Sequence, residues 1–227
     1  MFKTERRMLF ATTLLLGFVG LAIVAHSARH GTALDHAVLD WMIDHRRGWL
    51  TTVAIVITNA GSPVAVGLLA AAAAALLWWR RSSPTSAVVV VATLAVATGV
   101  STVTKVIVGA QRPTGAVQLL REVDPSFPSG HVTGTLALVG IVAVVVGRGR
   151  RLIIRIASAS AVAVATAAVA LTRLYLGVHW LTDIGGGLLL GGAAVLVGAV
   201  AHDTVRRAGS ESGRQSDAPT PPVARVA

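Results

Sequence analysis

Residues 105–131 read KVIVGAQRPTGAVQLLREVDPSFPSGH and place charged groups where one long apolar run ends and another begins. A second stretch, TRLYLGVHWLTD at 172–183, does the same at a later boundary. Lys105 lies inside an apolar segment, where a charge costs roughly 2.5–3.5 kcal/mol on insertion scales, so its presence indicates a function. The other polar groups at these boundaries are Arg112, Ser129, Gly130, His131, Arg173, His179 and Asp183. Cations, imidazoles and a carboxylate at span ends indicate a site for a phosphate ester.

The composition is that of a membrane protein. Hydrophobic residues make up 54% of the 227 and charged residues 13%, whereas a soluble domain has about 25% charged residues. The chain has no cysteine, which excludes disulfides and thiolate metal sites. The net charge of +10 would suit nucleic acid only on a water-facing basic domain, and no segment is long enough to form one. We therefore expect the excess charge to contact anionic lipid headgroups.

Six apolar runs are long enough, at about 20 residues, to cross a bilayer as helices. The predicted fold class is therefore all-α, an integral membrane bundle of six transmembrane helices. The second run contains the break Gly61-Ser62-Pro63. The glycines at 185–187 and 191–192 in the sixth run are expected to let helices pack closely. The predicted spans are residues 8–25, 51–79, 87–108, 129–146, 152–172 and about 183–201.

The spans divide the chain into a basic cytoplasmic head (1–7), a membrane domain (8–201) and a polar cytoplasmic tail (202–227) that we expect to be disordered. Hydrophobic residues of 26–48 recur near helical spacing, which predicts a short amphipathic helix at the membrane interface after the first span. The first span could instead be a signal peptide cleaved near Ala25. Its apolar run is longer than the usual stretch of about 7–15 residues, which favours a retained anchor.

Six spans put both ends of the chain on one side of the membrane. If that side is the cytoplasm, the inner segments carry eleven lysines and arginines and the outer segments six, as the positive-inside rule favours. The same orientation places every candidate site residue at the outer face. The inner set is Lys3, Arg6, Arg7, Arg80, Arg81, Arg148, Arg150, Arg151, Arg155, Arg206 and Arg207, and the outer set is Arg29, Arg46, Arg47, Arg112, Arg121 and Arg173.

The cations suit a phosphoryl group, whose negative charge during transfer spreads over three equatorial oxygens. Arg112 and Arg173 can each grip two oxygens through the guanidinium fork, and Lys105 adds a point charge. The turn at Ser129 and Gly130 opens a helix, so free backbone N–H groups there point at an anion. The serine hydroxyl can donate as well, and glycine admits a close approach. We therefore assign these five residues to substrate binding.

The remaining polar residues suit covalent catalysis. His179 and Asp183 are four residues apart and share a face if the segment is helical. A carboxylate on one ring nitrogen fixes the tautomer and leaves the other nitrogen as a nucleophile. His131, from a different span end, is then free to protonate the leaving alkoxide. Each residue alone has a structural explanation, such as helix capping by Asp183, but their convergence on one side favours a catalytic site.

These motifs resemble those of the type 2 phosphatidic acid phosphatase (PAP2) superfamily, which also includes bacterial undecaprenyl pyrophosphate phosphatases and vanadium haloperoxidases. The resemblance implies that His179 is the nucleophile, oriented by Asp183, and that His131 is the general acid. It also implies that the cations bind phosphate and that no metal or other cofactor is needed. Thr172 stands where the family often has serine and keeps the hydroxyl. The matching motifs are Lys105 with Arg112-Pro113, then Pro128-Ser129-Gly130-His131, then Arg173 with His179 and Asp183.

The predicted protein is a multi-pass phosphatase of the cell membrane, surrounded by membrane lipids and without a nucleic-acid partner. Its substrate would be a lipid phosphate or pyrophosphate at the extracytoplasmic face: phosphatidate, phosphatidylglycerol phosphate or polyprenyl pyrophosphate. Two alternatives stay open. A metal-dependent hydrolase would use His131, His179 and Asp183 as ligands, although three nearby cations would repel the metal. A non-enzymatic transporter of lipid phosphates would keep the cations but has no need for a histidine–aspartate pair.

Overall fold

The computed structural model describes residues 2–81 and 84–216, and within these ranges all regular structure is helical. The predicted all-α fold class is therefore confirmed. The helices follow one another in the order α1 (Phe2–Ser27), α2 (Ala33–Asp44), α3 (Gly48–Ala60), α4 (Pro63–Arg81), α5 (Pro84–Val108), α6 (Gly130–Val146), α7 (Leu152–Tyr175) and α8 (Leu181–Ser216).

Six of the described helices correspond to the six predicted spans. By length and composition, α1, α4, α5, α7 and α8 can each cross a membrane, and α6 is a slightly shorter apolar helix of 17 residues. Large hydrophobic side chains such as Leu16, Val106 and Ile153 are exposed on the outside of the bundle. Lipid tails would cover such side chains, and the helical backbone satisfies its own hydrogen bonds in that environment.

The predicted second span is wrong in its extent, because residues 51–79 belong to two helices. Helix α3 ends at Ala60 and α4 begins at Pro63, where a residue without a backbone N–H fits the first helical position. The hydroxyl of Ser62 accepts a hydrogen bond from the backbone N–H of Ala65 at 3.3 Å. Of the two helices, only α4 is long enough to span. Helix α3, about 20 Å long, packs against α7 beside the candidate site.

The predicted disordered tail also needs correction. Helix α8 does not end near Ala201 but continues to Ser216, so the first part of the tail is helical. His202 and Asp203 are buried there, and Asp203 pairs with Arg7 at 2.9 Å. This contact ties the far end of α8 to α1, whose first turns include the predicted basic head. The rest of the predicted tail lies outside the described residues.

Helix α8 is the central element of the bundle and packs against α1, α5 and α6. A Cβ atom added at Gly187 would lie 3.0 Å from the carbonyl oxygen of Ser129, and one at Gly191 would lie 3.1 Å from that of Thr133. Glycine at these two positions therefore lets α8 approach the backbone of α6, as predicted. This close packing sets the start of α6 against the start of α8.

Helix α2 is the predicted short helix after the first span. Its N-terminus carries a capping box in which Thr32 and Asp35 exchange hydrogen bonds. The buried Asp35 carboxylate also accepts hydrogen bonds from the backbone N–H and the hydroxyl of Thr182, each at 2.9 Å. One carboxylate therefore caps α2 and holds the first turn of α8.

Candidate active site

The structure brings the predicted site residues together at one end of the bundle. They come from the end of α5, the irregular loop 109–129, the start of α6, the end of α7, the turn that leads into α8 and the first turn of α8. Hydrogen bonds and ion pairs connect them, either directly or through loop carboxylates. The set is Lys105, Arg112, His131, Arg173, His179 and Asp183, with Ser129 and Gly130 beside it.

The His179–Asp183 pair lies at the centre of this cluster. The Nδ1 atom of His179 is 3.0 Å from Oδ2 of Asp183, and both residues are buried. The same oxygen accepts a hydrogen bond from the backbone N–H of Trp180 at 2.8 Å, and Oδ1 accepts one from the Ser126 hydroxyl at 3.2 Å. His179 stands in the turn before α8 rather than on the helix. Asp183 is the third residue of α8 and not its N-cap, as the alternative structural explanation proposed, but its carboxylate both orients His179 and accepts a hydrogen bond from the N–H of the residue before the helix.

Arg112 contacts the opposite side of the His179 ring. Its Nη1 atom lies 3.0 Å from Nε2 of His179 and 2.6 Å from the carbonyl oxygen of Val178. Because a guanidinium can only donate, Nε2 is the acceptor and the ring proton is on Nδ1, facing Asp183. Burial, reinforced by Arg112 and other nearby cations, lowers the pKa of His179 well below its ordinary value of 6.5. The site therefore presents a neutral imidazole whose Nε2 lone pair faces the cations.

Arg173 links the second histidine to helix α3. The arginine is only 1% exposed. Its Nη1 atom donates to the hydroxyl of Thr58 at 3.0 Å and lies 3.4 Å from Nε2 of His131. Its Nε atom has no hydrogen-bond partner among the described residues. A buried N–H without a partner is costly, and a phosphate oxygen would satisfy it.

Ser129 and Gly130 lie beside the cluster, but the backbone N–H of Ser129 is not free to bind an anion as predicted. The backbone N–H of Ser129 donates to the carbonyl oxygen of Asp183 at 3.0 Å, so it is not available to an anion. The Ser129 hydroxyl is buried and has no partner in the described part of the chain. A Cβ atom at Gly130 would meet nothing within 4 Å, so the space beside this residue is open. The open space beside Gly130 is therefore available to a substrate, whereas the Ser129 hydroxyl is enclosed by protein.

Two carboxylates that the sequence analysis missed pair with all three cations. Glu122 contacts Arg173 and lies 3.2 Å from Arg112, and Asp124 lies 2.8 Å from Arg112 and 3.0 Å from Lys105. Burial alone would raise the pKa of each carboxyl, but Arg173 for Glu122 and Lys105 for Asp124, together with Arg112, lower it below its ordinary value. Both groups are therefore ionised and occupy donors that a phosphate would use. Their position in a loop between two cationic motifs was the available signal.

A groove of about 490 Å³ leads to this cluster between α4, α5 and α6. Lys105, Asp124 and Gly130 line one end, and Leu94 lines it further along α5. The distance from Leu94 to Lys105 along a helix is about 16 Å, roughly half the thickness of the apolar part of a bilayer. Most of the groove surface is apolar, with Val66 among the lining residues. The groove therefore has the depth and character of a channel for a lipid chain.

The metallohydrolase alternative requires His131, His179 and Asp183 to converge on one metal ion, and the structure does not bring them together in that way. Within the described residues, no group of three histidine or acidic side chains lies together in a way that could hold a metal ion. The two imidazoles instead adjoin Arg112 and Arg173, whose positive charges disfavour a cation.

Comparison with known proteins gives the family. The sequence profile of the PAP2 superfamily matches residues 86–207, more than half of the chain and all of the candidate site residues. The chain belongs to the PAP2 superfamily, as the motifs predicted. No curated protein sequence matches it significantly.

Two solved membrane proteins have a similar structure. One is a transmembrane PAP2-type phosphatidylglycerolphosphate phosphatase from Bacillus subtilis, with 23% sequence identity and a TM-score of 0.71 over 88% of this chain and 96% of that chain. The other is LpxE of Aquifex aeolicus, with 18% identity and a TM-score of 0.61 over 74% of this chain and 96% of that chain. These similarities establish the fold, a multi-pass helical membrane bundle.

Proposed function

We propose that this protein is an integral membrane phosphatase that hydrolyses a lipid phosphate or pyrophosphate through a phosphohistidine at His179. The observation that carries the proposal is the hydrogen-bonded series Asp183–His179–Arg112. It fixes the tautomer of a buried neutral imidazole and directs its free electron pair at the cations that would hold a phosphate. Membership of the PAP2 superfamily supports the same reaction class.

In the first step, Nε2 of His179 attacks phosphorus while the bond from phosphorus to the leaving oxygen breaks. Arg112 Nη1 moves its hydrogen bond from Nε2 to a phosphate oxygen, which frees the electron pair for attack. Asp183 stabilises the positive charge that develops on the ring through its hydrogen bond to Nδ1. His131 donates a proton to the leaving oxygen, which departs as the lipid alcohol or, from a pyrophosphate, as the lipid monophosphate.

In the second step, water attacks the phosphorus of the phosphohistidine. His131, now unprotonated, accepts a proton from that water, and the electron pair of the phosphorus–nitrogen bond returns to Nε2 of His179. Inorganic phosphate leaves and both histidines regain their starting states. Lys105, Arg112 and Arg173 offset the charge on the equatorial oxygens in both steps, after Glu122 and Asp124 give up these donors.

A lipid substrate is supported by the groove between α4, α5 and α6, which extends from Lys105 along the apolar side of α5. Phosphatidylglycerol phosphate is the first candidate, because it is the substrate named for the Bacillus subtilis protein. Phosphatidate and polyprenyl pyrophosphate share the reactive group and are the others. A water-soluble phosphate ester would leave the groove unused.

The reaction would take place at the extracytoplasmic face, on the grounds of the eleven-to-six distribution of basic residues. The chain has no cysteine of its own, so single cysteines report accessibility directly. Gly115→Cys in the loop 109–129 should react with a membrane-impermeant thiol reagent in intact cells, whereas Arg80→Cys at the end of α4 should not. The reverse pattern would move the reaction to the cytoplasmic leaflet.

The function is tested by phosphate release from the three candidate lipids, with purified protein in detergent and EDTA. We expect release from at least one lipid, inhibition by vanadate and no activity in His179→Ala. Loss of activity in EDTA that zinc restores would support the metallohydrolase. Vanadate binding without any phosphate release would support the transporter.

A further inference from the structure

A second cavity, of about 730 Å³, lies at the opposite end of the bundle from His179. Helices α6 and α8 form its floor, and α1 and α7 form its walls. Asp203, which lines its mouth, is 22 residues beyond Leu181 along α8, a distance of about 33 Å along a helix. This is about the thickness of the apolar part of a bilayer. The cavity and the candidate active site therefore face opposite leaflets.

The mouth of this cavity carries a large excess of positive charge. Among the described residues, Asp203 is the one acidic residue that lines it, and its carboxylate pairs with Arg7 at 2.9 Å and with Arg148. Five cationic residues of the described chain line the cavity beside this one carboxylate, so the mouth would attract an anion. The cationic lining residues are Lys3, Arg7, Arg148, Arg150 and Arg155.

Two of these cations are fixed in position before any ligand binds. Arg7 and Arg148 are held by the largely buried Asp203. Arg148 Nη1 also donates to Nδ1 of His202 at 2.8 Å, and Nε2 of His202 lies 3.1 Å from the hydroxyl of Ser86. Arg150 and Arg155 are exposed, as is Arg148. The mouth thus combines two guanidinium groups already paired with Asp203 and two exposed arginines that can close on an anion.

Below the mouth, the cavity is apolar and runs into the membrane region. On α1 its lining extends from Lys3 to Leu14, and on α8 from Asp203 back to Gly192. Each distance is about 16 Å along a helix, close to half of the apolar thickness of a bilayer. The apolar lining residues along this depth include Leu136, Val144, Val162, Val195 and Leu196.

We propose that this cavity is a binding site for an anionic phospholipid of the leaflet opposite the candidate active site. The phosphate headgroup would lie among the arginines, whose forked donors suit phosphate oxygens. An acyl chain would lie in the apolar part between α1 and α7. A soluble anion would use only the mouth, so the depth of the cavity favours a lipid. The bound lipid would join α1 and α7 across the floor of this second cavity.

The test measures lipid binding and thermal unfolding of the purified, delipidated full-length protein in detergent. Phosphatidylglycerol should bind and raise the unfolding temperature, and the zwitterionic phosphatidylcholine should not. The double variant Arg150→Gln/Arg155→Gln should bind phosphatidylglycerol roughly 10- to 30-fold more weakly. The matched control, Arg80→Gln/Arg206→Gln, removes two exposed charges outside the cavity lining and should bind it like the original protein. An equal loss in both double variants would mean diffuse surface attraction and overturn the proposal.

A second variant tests the apolar half of the cavity. Ala159→Phe, at an exposed position of the α7 wall, adds bulk to the second cavity and leaves every charge in place. It should abolish phosphatidylglycerol binding, with the unfolding temperature in phosphatidylcholine unchanged. Unaltered binding in this variant would overturn the site, as would equal stabilisation by soluble glycerol phosphate. Weakened binding in Arg112→Gln but not in the Arg150/Arg155 variant would place the lipid in the candidate active site and also overturn the proposal.

Discussion

The two ends of helix α8 carry the same types of residue in opposite states of charge balance. At its start, three cations face three carboxylates, so the cluster is close to neutral without a ligand. Around Asp203, towards its other end, five described cations line the second cavity with one carboxylate, which pairs with two of them. The first cluster is Lys105, Arg112 and Arg173 with Glu122, Asp124 and Asp183, and the second is Lys3, Arg7, Arg148, Arg150 and Arg155 with Asp203.

The buried histidines near the two ends, His179 and His202, differ in the partners of their ring nitrogens. Each ring nitrogen of His202 contacts a protein group, Arg148 on one side and Ser86 on the other, away from the candidate reaction site. His179 is also held on both sides, but its Nε2 partner is Arg112, a donor that a phosphate oxygen can draw away. Burial and an arginine neighbour are therefore common to both histidines. On the proposed mechanism, the features that would make His179 reactive are its orienting carboxylate and its exchangeable donor.

The largest expected effect separates these two histidines. His179→Ala should lower lipid phosphate release by about 10⁴-fold or more, because the covalent step needs Nε2. His202→Gln keeps polar groups at the other end and should stay within roughly threefold of the original activity. Steady-state phosphate release and rapid-quench labelling measure both. A phosphoenzyme that still forms in His179→Ala would assign the nucleophile elsewhere.

The next effect concerns His131, the second histidine of the site. His131→Ala should lose about 10²–10⁴-fold of its activity on a lipid alkyl phosphate, since the leaving oxygen then lacks a proton donor. The loss should be much smaller on an activated aryl phosphate, whose leaving group needs no proton. The comparison of kcat for the two substrates measures the difference. Equal losses on both would refute a role limited to the leaving group.

A smaller effect tests whether the charge balance of the first cluster competes with substrate. Glu122→Gln removes one carboxylate from Arg112 and Arg173, so vanadate should bind about fivefold more tightly. The same variant should unfold at a lower temperature without vanadate and regain stability with it. Asp40→Asn, an exposed carboxylate on α2, is the matched control and should change neither. Weaker vanadate binding in Glu122→Gln would show that Glu122 supports the anion site instead.

The smallest effect is a displacement of the pH profile. The pKa of His179 lies below 6.5, so its neutral, nucleophilic form persists as the pH falls through 6.5. Activity should therefore decline only at lower pH, where the ring takes up a proton. Arg112→Gln removes a cation that lowers this pKa and should move the acidic limb of kcat to higher pH. The ionisation of the substrate is measured separately by phosphorus NMR. An acidic limb that stays in place in Arg112→Gln would contradict this account.

The parts of the site that the sequence predicts are those fixed by short spacing. His179 and Asp183 are close in sequence, so their contact needs only one turn of chain and the start of a helix. The glycines of α8 likewise predict close packing with another helix, because only small residues permit it. The position of Lys105 within an apolar run indicates the membrane end at which the site lies.

The parts that could not be predicted depend on contacts between distant segments. Glu122 and Asp124 lie in an irregular loop whose path is set by its contacts with other helices, so no periodicity locates them. Thr58 contacts Arg173 only because the apolar run 51–79 is divided at Gly61, and composition alone does not say which half crosses the membrane. The helical segment after Ala201 is polar, and its buried pairing with α1 is visible only in the structure.

The contacts of Asp183 also make the candidate site depend on the docking of helix α8. Its carboxylate accepts a hydrogen bond from the Ser126 hydroxyl, and its carbonyl oxygen accepts one from the backbone N–H of Ser129, so α8 helps to anchor the loop 109–129. On the proposed mechanism, a newly inserted chain whose α8 has not yet entered the bundle would hold all three cations but would lack the group that orients His179. We therefore expect phosphatase activity to appear only after α8 has docked.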